Sequence, residues 1–196
     1  VGGFLLAHVG MSWVYTVIGS LYLVVAFLAS RLRPPRRTPS GTRVSVLGGL
    51  LETVQYIRMH QLILALLLVA FLVNLTGFPL IFGLMPVFAR NVLGTDPTGL
   101  GRLMGAYAIG AALGSITIAA LVRMSRPGRV VLAGSLGWHG AILVVSRLRL
   151  FAPSIAVLAM AGVAQSFTMV TLAIVLLSST DTAMRGRIMG VRALAV

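Results

Sequence analysis

Apolar positions in this chain fall in long unbroken runs rather than alternating with polar ones. Trp13–Ser30, Gln61–Ala89, Leu103–Val122, Val130–Ser146 and Leu150–Thr180 hold no Asp, Glu, Lys or Arg. A short apolar piece, Val1–Val9, precedes them, and another opens at Ile188. A bilayer core about 30 Å thick needs roughly 20 helical residues to cross it. The five long runs therefore read as full membrane spans, with a partial span at each end. Inside lipid each backbone N–H and C=O must find a partner within the protein, which continuous runs achieve as helices; barrel strands would alternate. The expected fold is all-α, a multi-pass transmembrane helical bundle. The chain begins at Val1 and stops within the apolar run Arg192–Val196, so it is expected to be truncated at both ends.

One stretch breaks the pattern. Pro34-Pro35-Arg36-Arg37-Thr38-Pro39-Ser40-Gly41 is rich in helix breakers. After it Leu47, Leu50, Leu51, Val54 and Ile57 recur at helical spacing, with Glu52, Gln55 and Arg58 elsewhere around the wheel. Two arrangements fit: an amphipathic helix on the cytoplasmic membrane surface, or a linker helix packed on protein. A long cytoplasmic stretch between helical groups marks a domain boundary. The expected division is 1–33 as the last helices of an N-terminal half, 34–60 as the linker, and 61–196 as an incomplete C-terminal half.

Composition narrows the classes of function. Hydrophobic residues make up 58% of the 196 and charged residues 10%, against about 25% charged in an ordinary soluble domain; mean hydropathy is +1.02. A soluble enzyme and a disordered segment are both excluded. The 16 basic residues are all Arg and face 3 acids, for a net charge of +13. They sit between the runs, so they read as topology signals and no nucleic-acid partner is expected. With the side after Ser30 cytoplasmic, eleven arginines fall inside and four outside. Cysteine is absent and the three histidines are scattered, so no metal site is expected. Nucleotide-loop and paired-carboxylate motifs are also missing, so neither a cofactor nor catalysis is expected.

A few residues inside the runs could carry function. Gly101 with Gly105, and Gly110 with Gly114, make small-xxx-small spacings that let helices approach closely; Gly134, Gly137 and Gly140 repeat the idea more weakly. Asn74 and Thr76 lie mid-span just before Pro79, whose ring frees a carbonyl one turn back. Gln165, Thr168 and Thr171 share one face by their spacing of three. These polar groups either line a cavity or bond a packed neighbour helix. Tyr107 could stack on an aromatic ligand or anchor at the interface. His139 is the ionisable group at mid-depth, either a proton relay or a neutral ring bonded to a neighbour. No Asp or Glu lies inside a span. Arg126, Arg129, Arg185 and Arg187, with Gly128 and Gly186 beside them, sit at cytoplasmic helix ends. They serve either as a latch that pairs with acids or helix C-termini, or as topology and lipid-phosphate contacts.

Three segments resemble the major facilitator superfamily and cover essentially the whole chain between them. The run from Leu84-Met-Pro-Val-Phe-Ala-Arg-Asn through Gly105-Ala106 is similar to the loop joining that family's seventh and eighth helices, closest to its bacterial exporter branch. Arg123-Met-Ser-Arg-Pro-Gly-Arg129 resembles its short basic loop motif, and Met184-Arg-Gly-Arg-Ile-Met-Gly190 the loop before its eleventh helix. Ser125 stands where the family usually has an acid, Arg123 where it prefers an apolar residue, and Thr180–Met184 lacks a common proline. By this resemblance Val1–Val9 ends the fifth helix, Trp13–Ser30 is the sixth, and Ile188 opens the eleventh. The resemblance implies a secondary active transporter of the bacterial inner membrane that effluxes small amphipathic molecules, such as drugs or siderophores, by alternating access. Its implied partners are the lipid bilayer, a small-molecule substrate and the N-terminal half of the same protein. The seventh and tenth helices line the cavity in the family, which makes Asn74, Thr76, Gln165, Thr168 and Thr171 cavity candidates, with Tyr107 beside them. Any coupling carboxylate is expected outside this sequence. The alternative is a non-transporting membrane scaffold or partner subunit.

Overall fold

The computed structural model describes residues 11–31, 46–120 and 126–194. These residues form helices without strands: α1 (Met11–Arg31), α2 (Val46–Met59), α3 (Gln61–Asn91), α4 (Pro97–Ala120), α5 (Pro127–Arg147), α6 (Phe151–Ser178) and α7 (Arg185–Leu194). Among the described residues, α3 to α6 are long and apolar enough to cross a membrane, and α1 is a 21-residue helix over the first of the five expected runs. Val1–Val9, the breaker-rich stretch 34–41, and Arg123 with Ser125 lie outside the described residues.

Local chemistry sets the helix boundaries. Gly94 adopts φ 59 in the α3–α4 turn, a left-handed conformation that costs glycine nothing. Asp96 then caps α4: its Oδ1 accepts the Gly99 N–H at 2.8 Å, leaving Pro97 at the first position, where its missing donor does no harm. Pro127 likewise takes the first position of α5, there without a side-chain cap. His60, at φ −108 and ψ 88, breaks α2 from α3.

α6 is the hub of the bundle, packed along α4 on one side and α5 on the other. Backbones meet on the α4 side. A methyl added at Gly110 would overlap the Ala159 carbonyl, and one at Gly162 would overlap the Tyr107 carbonyl; at Gly114 it would stand 2.8 Å from the Val163 carbonyl. Gly105 has open space around it, so of the two expected spacings Gly110–Gly114 makes the seam, completed by Gly162 from the other helix. Towards α5, Gly134 faces the Thr168 hydroxyl and Gly137 faces Ala164, whereas Gly140 meets nothing.

The core has two layers. Ile57, Ile63, Leu66, Leu67, Ala70, Val131, Leu172, Leu176, Met184 and Ile188 fill the one next to α2 and α7, on the side the arginine count assigns to the cytoplasm. Val73, Ile81, Met85, Leu103, Tyr107, Trp138, Val145 and Leu158 fill the outer one. α3 runs through both, and Pro79 does not break it. Residues Pro79–Leu84 form a π-turn instead, because a proline that cannot donate and crowds the preceding turn is accommodated by a wider one. Every described side chain of α1 is exposed.

The linker helix α2 packs on protein, the second of its two expected arrangements. Thr53 and Ile57 are buried, and Tyr56 packs beside them. The buried face is offset from the apolar stripe that predicted the helix: Leu50, Leu51 and Val54 remain exposed.

Candidate functional site

Polar groups at mid-membrane gather where α3 meets α5. Asn74 is buried and donates from Nδ2 to the Ala70 carbonyl at 2.7 Å, while its Oδ1 has no partner. Thr76 lies on the exposed side of α3, with its hydroxyl 2.7 Å from the Leu72 carbonyl and 2.8 Å from His139 Nε2 on α5. His139 Nδ1 stands 2.8 Å from the Ser135 carbonyl. A carbonyl only accepts, so Nδ1 carries a proton, and in the neutral ring the Thr76 hydroxyl sits between two acceptors. His139 is thus bonded to a neighbouring helix.

The aromatic side chains next to this pair belong to the core. Trp138 is fully buried, its ring edge-on to Phe78 at 5.6 Å and to His139 at 5.3 Å. Tyr107 is buried too, edge-on to Phe82 at 6.2 Å. It therefore anchors at no lipid interface: α4 turns it into the α3–α5 seam, because Gly162 lets the backbone at Tyr107 sit against α6. The Tyr107 hydroxyl and the Trp138 indole N–H are both buried and face each other without closing a hydrogen bond of good geometry. Three helices therefore each bring one unsatisfied buried polar atom to the outer layer: Asn74 Oδ1, Tyr107 OH and Trp138 Nε1. Trp138 carried no signal of its own in the sequence; its partner is Gly77, where an added methyl would strike the ring.

The α6 stripe divides. Gln165 is half-buried, whereas Thr168 and Thr171 are buried in the helix seams. Thr168 bonds the Ala164 carbonyl and accepts from Ser135 of α5 at 3.5 Å, so it joins helices. Ser166, absent from the sequence candidates, does the same towards α4: it donates to the Ala111 carbonyl at 2.7 Å and accepts from Ser115 at 3.3 Å. Small hydroxyl residues are common inside apolar helices, so nothing in the sequence singled these out.

At the cytoplasmic end Arg187 Nη1 pairs with Glu52 Oε2 of α2 at 2.6 Å, and Arg185 Nε donates to the Thr180 carbonyl at 3.1 Å. Arg187 thus has an acid partner, and Arg185 a carbonyl in the turn two residues past the end of α6. Arg126 and Arg129 are exposed at the start of α5, and Gly128 and Gly186 have open space around them. At the outer end the α3–α4 turn surrounds a cavity of about 370 Å³ between Pro86, Arg90, Asp96 and Leu100.

Comparisons agree with the segments that carry the resemblance. The family model described as the Major Facilitator Superfamily matches residues 1–196. The Enterobactin exporter EntS proteins of Escherichia coli O139:H28, Escherichia coli O9:H4 and Shigella boydii serotype 18 are each 27% identical over 192 residues, which is 97% of this chain and 45% of the relative. The chain thus spans less than half the length of these relatives. No solved structure gives a significant match.

Proposed function

Because the chain belongs to the Major Facilitator Superfamily, we propose that it is part of a secondary active exporter of the bacterial inner membrane that moves small amphipathic molecules, siderophores foremost, by alternating access. One observation carries this reading: the similarity to enterobactin exporters runs along 97% of the chain rather than being confined to one loop. Residues 61–196 form the part of the C-terminal half present here, and 34–60 the linker. Residues 1–33 belong to the other half, with which the exposure of every described side chain of α1 accords. The partners are the bilayer, the substrate and the N-terminal half.

The seam between α3 and α5 offers the substrate side of this mechanism its polar groups. Asn74 Oδ1 has no partner, and Tyr107 OH and Trp138 Nε1 meet each other only in poor geometry; a buried polar atom left unsatisfied costs about 1–3 kcal/mol. A packing change that lets a substrate hydroxyl or a water reach them recovers that cost in one state only, which is what differential binding between two conformations requires. Thr76 and Gln165 stand nearer the surface and contact the substrate first. The test is efflux from proteoliposomes holding the full transporter, loaded with a catecholate siderophore and, separately, a cationic dye. Siderophore efflux that falls at least several-fold in Asn74→Leu is expected. Equal leakage with and without protein for both compounds overturns the reading.

A further inference from the structure

We propose that α2 is a releasable clasp: Glu52 and Tyr56 hold the α6–α7 turn and the start of α7 over the cytoplasmic core layer, and the turn moves only when they let go. The idea rests on the alternating-access reading, because a clasp matters only if that end opens.

The evidence begins with the scarcity of acids. The chain has three, and two of them, Glu52 and Asp181, are committed to this junction. Glu52 takes Arg187 at 2.6 Å. The Tyr56 hydroxyl donates to Asp181 Oδ2 at 3.1 Å and accepts the Asp181 backbone N–H at 3.2 Å, across 125 residues of sequence. That double contact fixes the turn's direction as well as its distance.

Tyr56 is itself held in place. The His60 ring stacks on it at 4.1 Å, and His60 Nδ1 donates to the Tyr56 carbonyl at 2.8 Å. The break that ends α2 therefore also aims its tyrosine. Beneath these polar contacts lie Ile57, Met184 and Ile188, all buried, so release uncovers an apolar seam.

Exposure makes the arrangement a clasp rather than a weld. The Arg187 and Glu52 side chains are 39% and 58% exposed, and an ion pair that water reaches is weak and easily exchanged. The buried side is apolar and closes again without a directional partner.

The test uses the lack of cysteine in this chain. A reporter is placed under the clasp as Ile188→Cys in the membrane-embedded full transporter, with any cysteines elsewhere replaced, and its labelling by an impermeant maleimide is followed from the cytoplasmic side. Glu52→Gln and Tyr56→Phe are each expected to speed labelling several-fold, and the exchange Glu52→Arg with Arg187→Glu to return it towards the parent rate. Unchanged labelling in both single variants overturns the clasp, as does a charge exchange that labels as fast as Glu52→Gln. Siderophore efflux is measured on the same samples. Labelling that responds in a protein without efflux sinks the exporter reading and leaves the clasp standing; efflux without a labelling response does the reverse.

Discussion

Along α4 and α6 backbone lies on backbone; along α3 and α5 side chains hold the helices apart. The first seam is built from Gly110, Gly114 and Gly162 with a Ser115–Ser166 bond beside them. The second is built from Trp138 against Gly77, a histidine–threonine bond and three buried polar atoms that close no good hydrogen bond. Both lie in the same bundle at similar depth, so lipid and length do not explain the difference. Packing does. A carbonyl oxygen in a helix cannot step aside, whereas the far edge of an indole or a threonine hydroxyl can re-aim. The α4–α6 pair suits a body that moves as one piece, and the α3–α5 pair suits a joint.

Substitutions at the two glycines separate these roles most sharply. Gly162→Val puts two methyls into the Tyr107 carbonyl and is expected to cost on the order of 3 kcal/mol, read as a large fall in melting temperature in detergent. Gly77→Ala meets only the Trp138 ring; it is expected to cost about 1 kcal/mol, with a shift in Trp138 emission in a Trp13→Phe background. If Gly77→Ala lowers the melting temperature as much as Gly162→Val, the contrast between seam and joint is wrong. The smallest effect is expected from Ser166→Ala, about 0.6 kcal/mol, since the Ala111 carbonyl keeps its place in the helix. A loss several times larger would make the serine pair, and not the glycines, the main tie between α4 and α6.

The sequence made the spans easy to see because charge is costly in lipid, and the arginines stand at the ends of α3, α5 and α7 rather than in the middle of α3 to α6. Gly110 and Gly114 were legible because small residues four apart have one common use. Gly162 was not, since its counterpart lies on another helix. Tyr107 misled for a related reason: an isolated tyrosine in an apolar run suits an interface by chemistry alone, and only the close approach at Gly162 turns it inward. For Thr168 the spacing gave the face but not the neighbour. The Glu52–Arg187 and Tyr56–Asp181 contacts could not be read at all, because each joins residues more than a hundred positions apart.

The π-turn in α3 leaves one residue too many for a regular spiral. Before it the helix buries Ala70, Val73, Asn74 and Gly77; after it Ile81, Met85 and Ala89 face inward at every fourth position. Each residue of a regular helix advances the chain by about 1.5 Å and turns it by roughly 100°. Passing the surplus residue along Pro79–Leu84 would therefore turn only the residues it crosses, Phe82 among them, while Gln61–Gly77 and the segment Met85–Asn91 keep their seats. In mechanical terms the helix carries a length of slack near its own midpoint, and the Phe82 ring that meets Tyr107 can turn without a hinge in any loop.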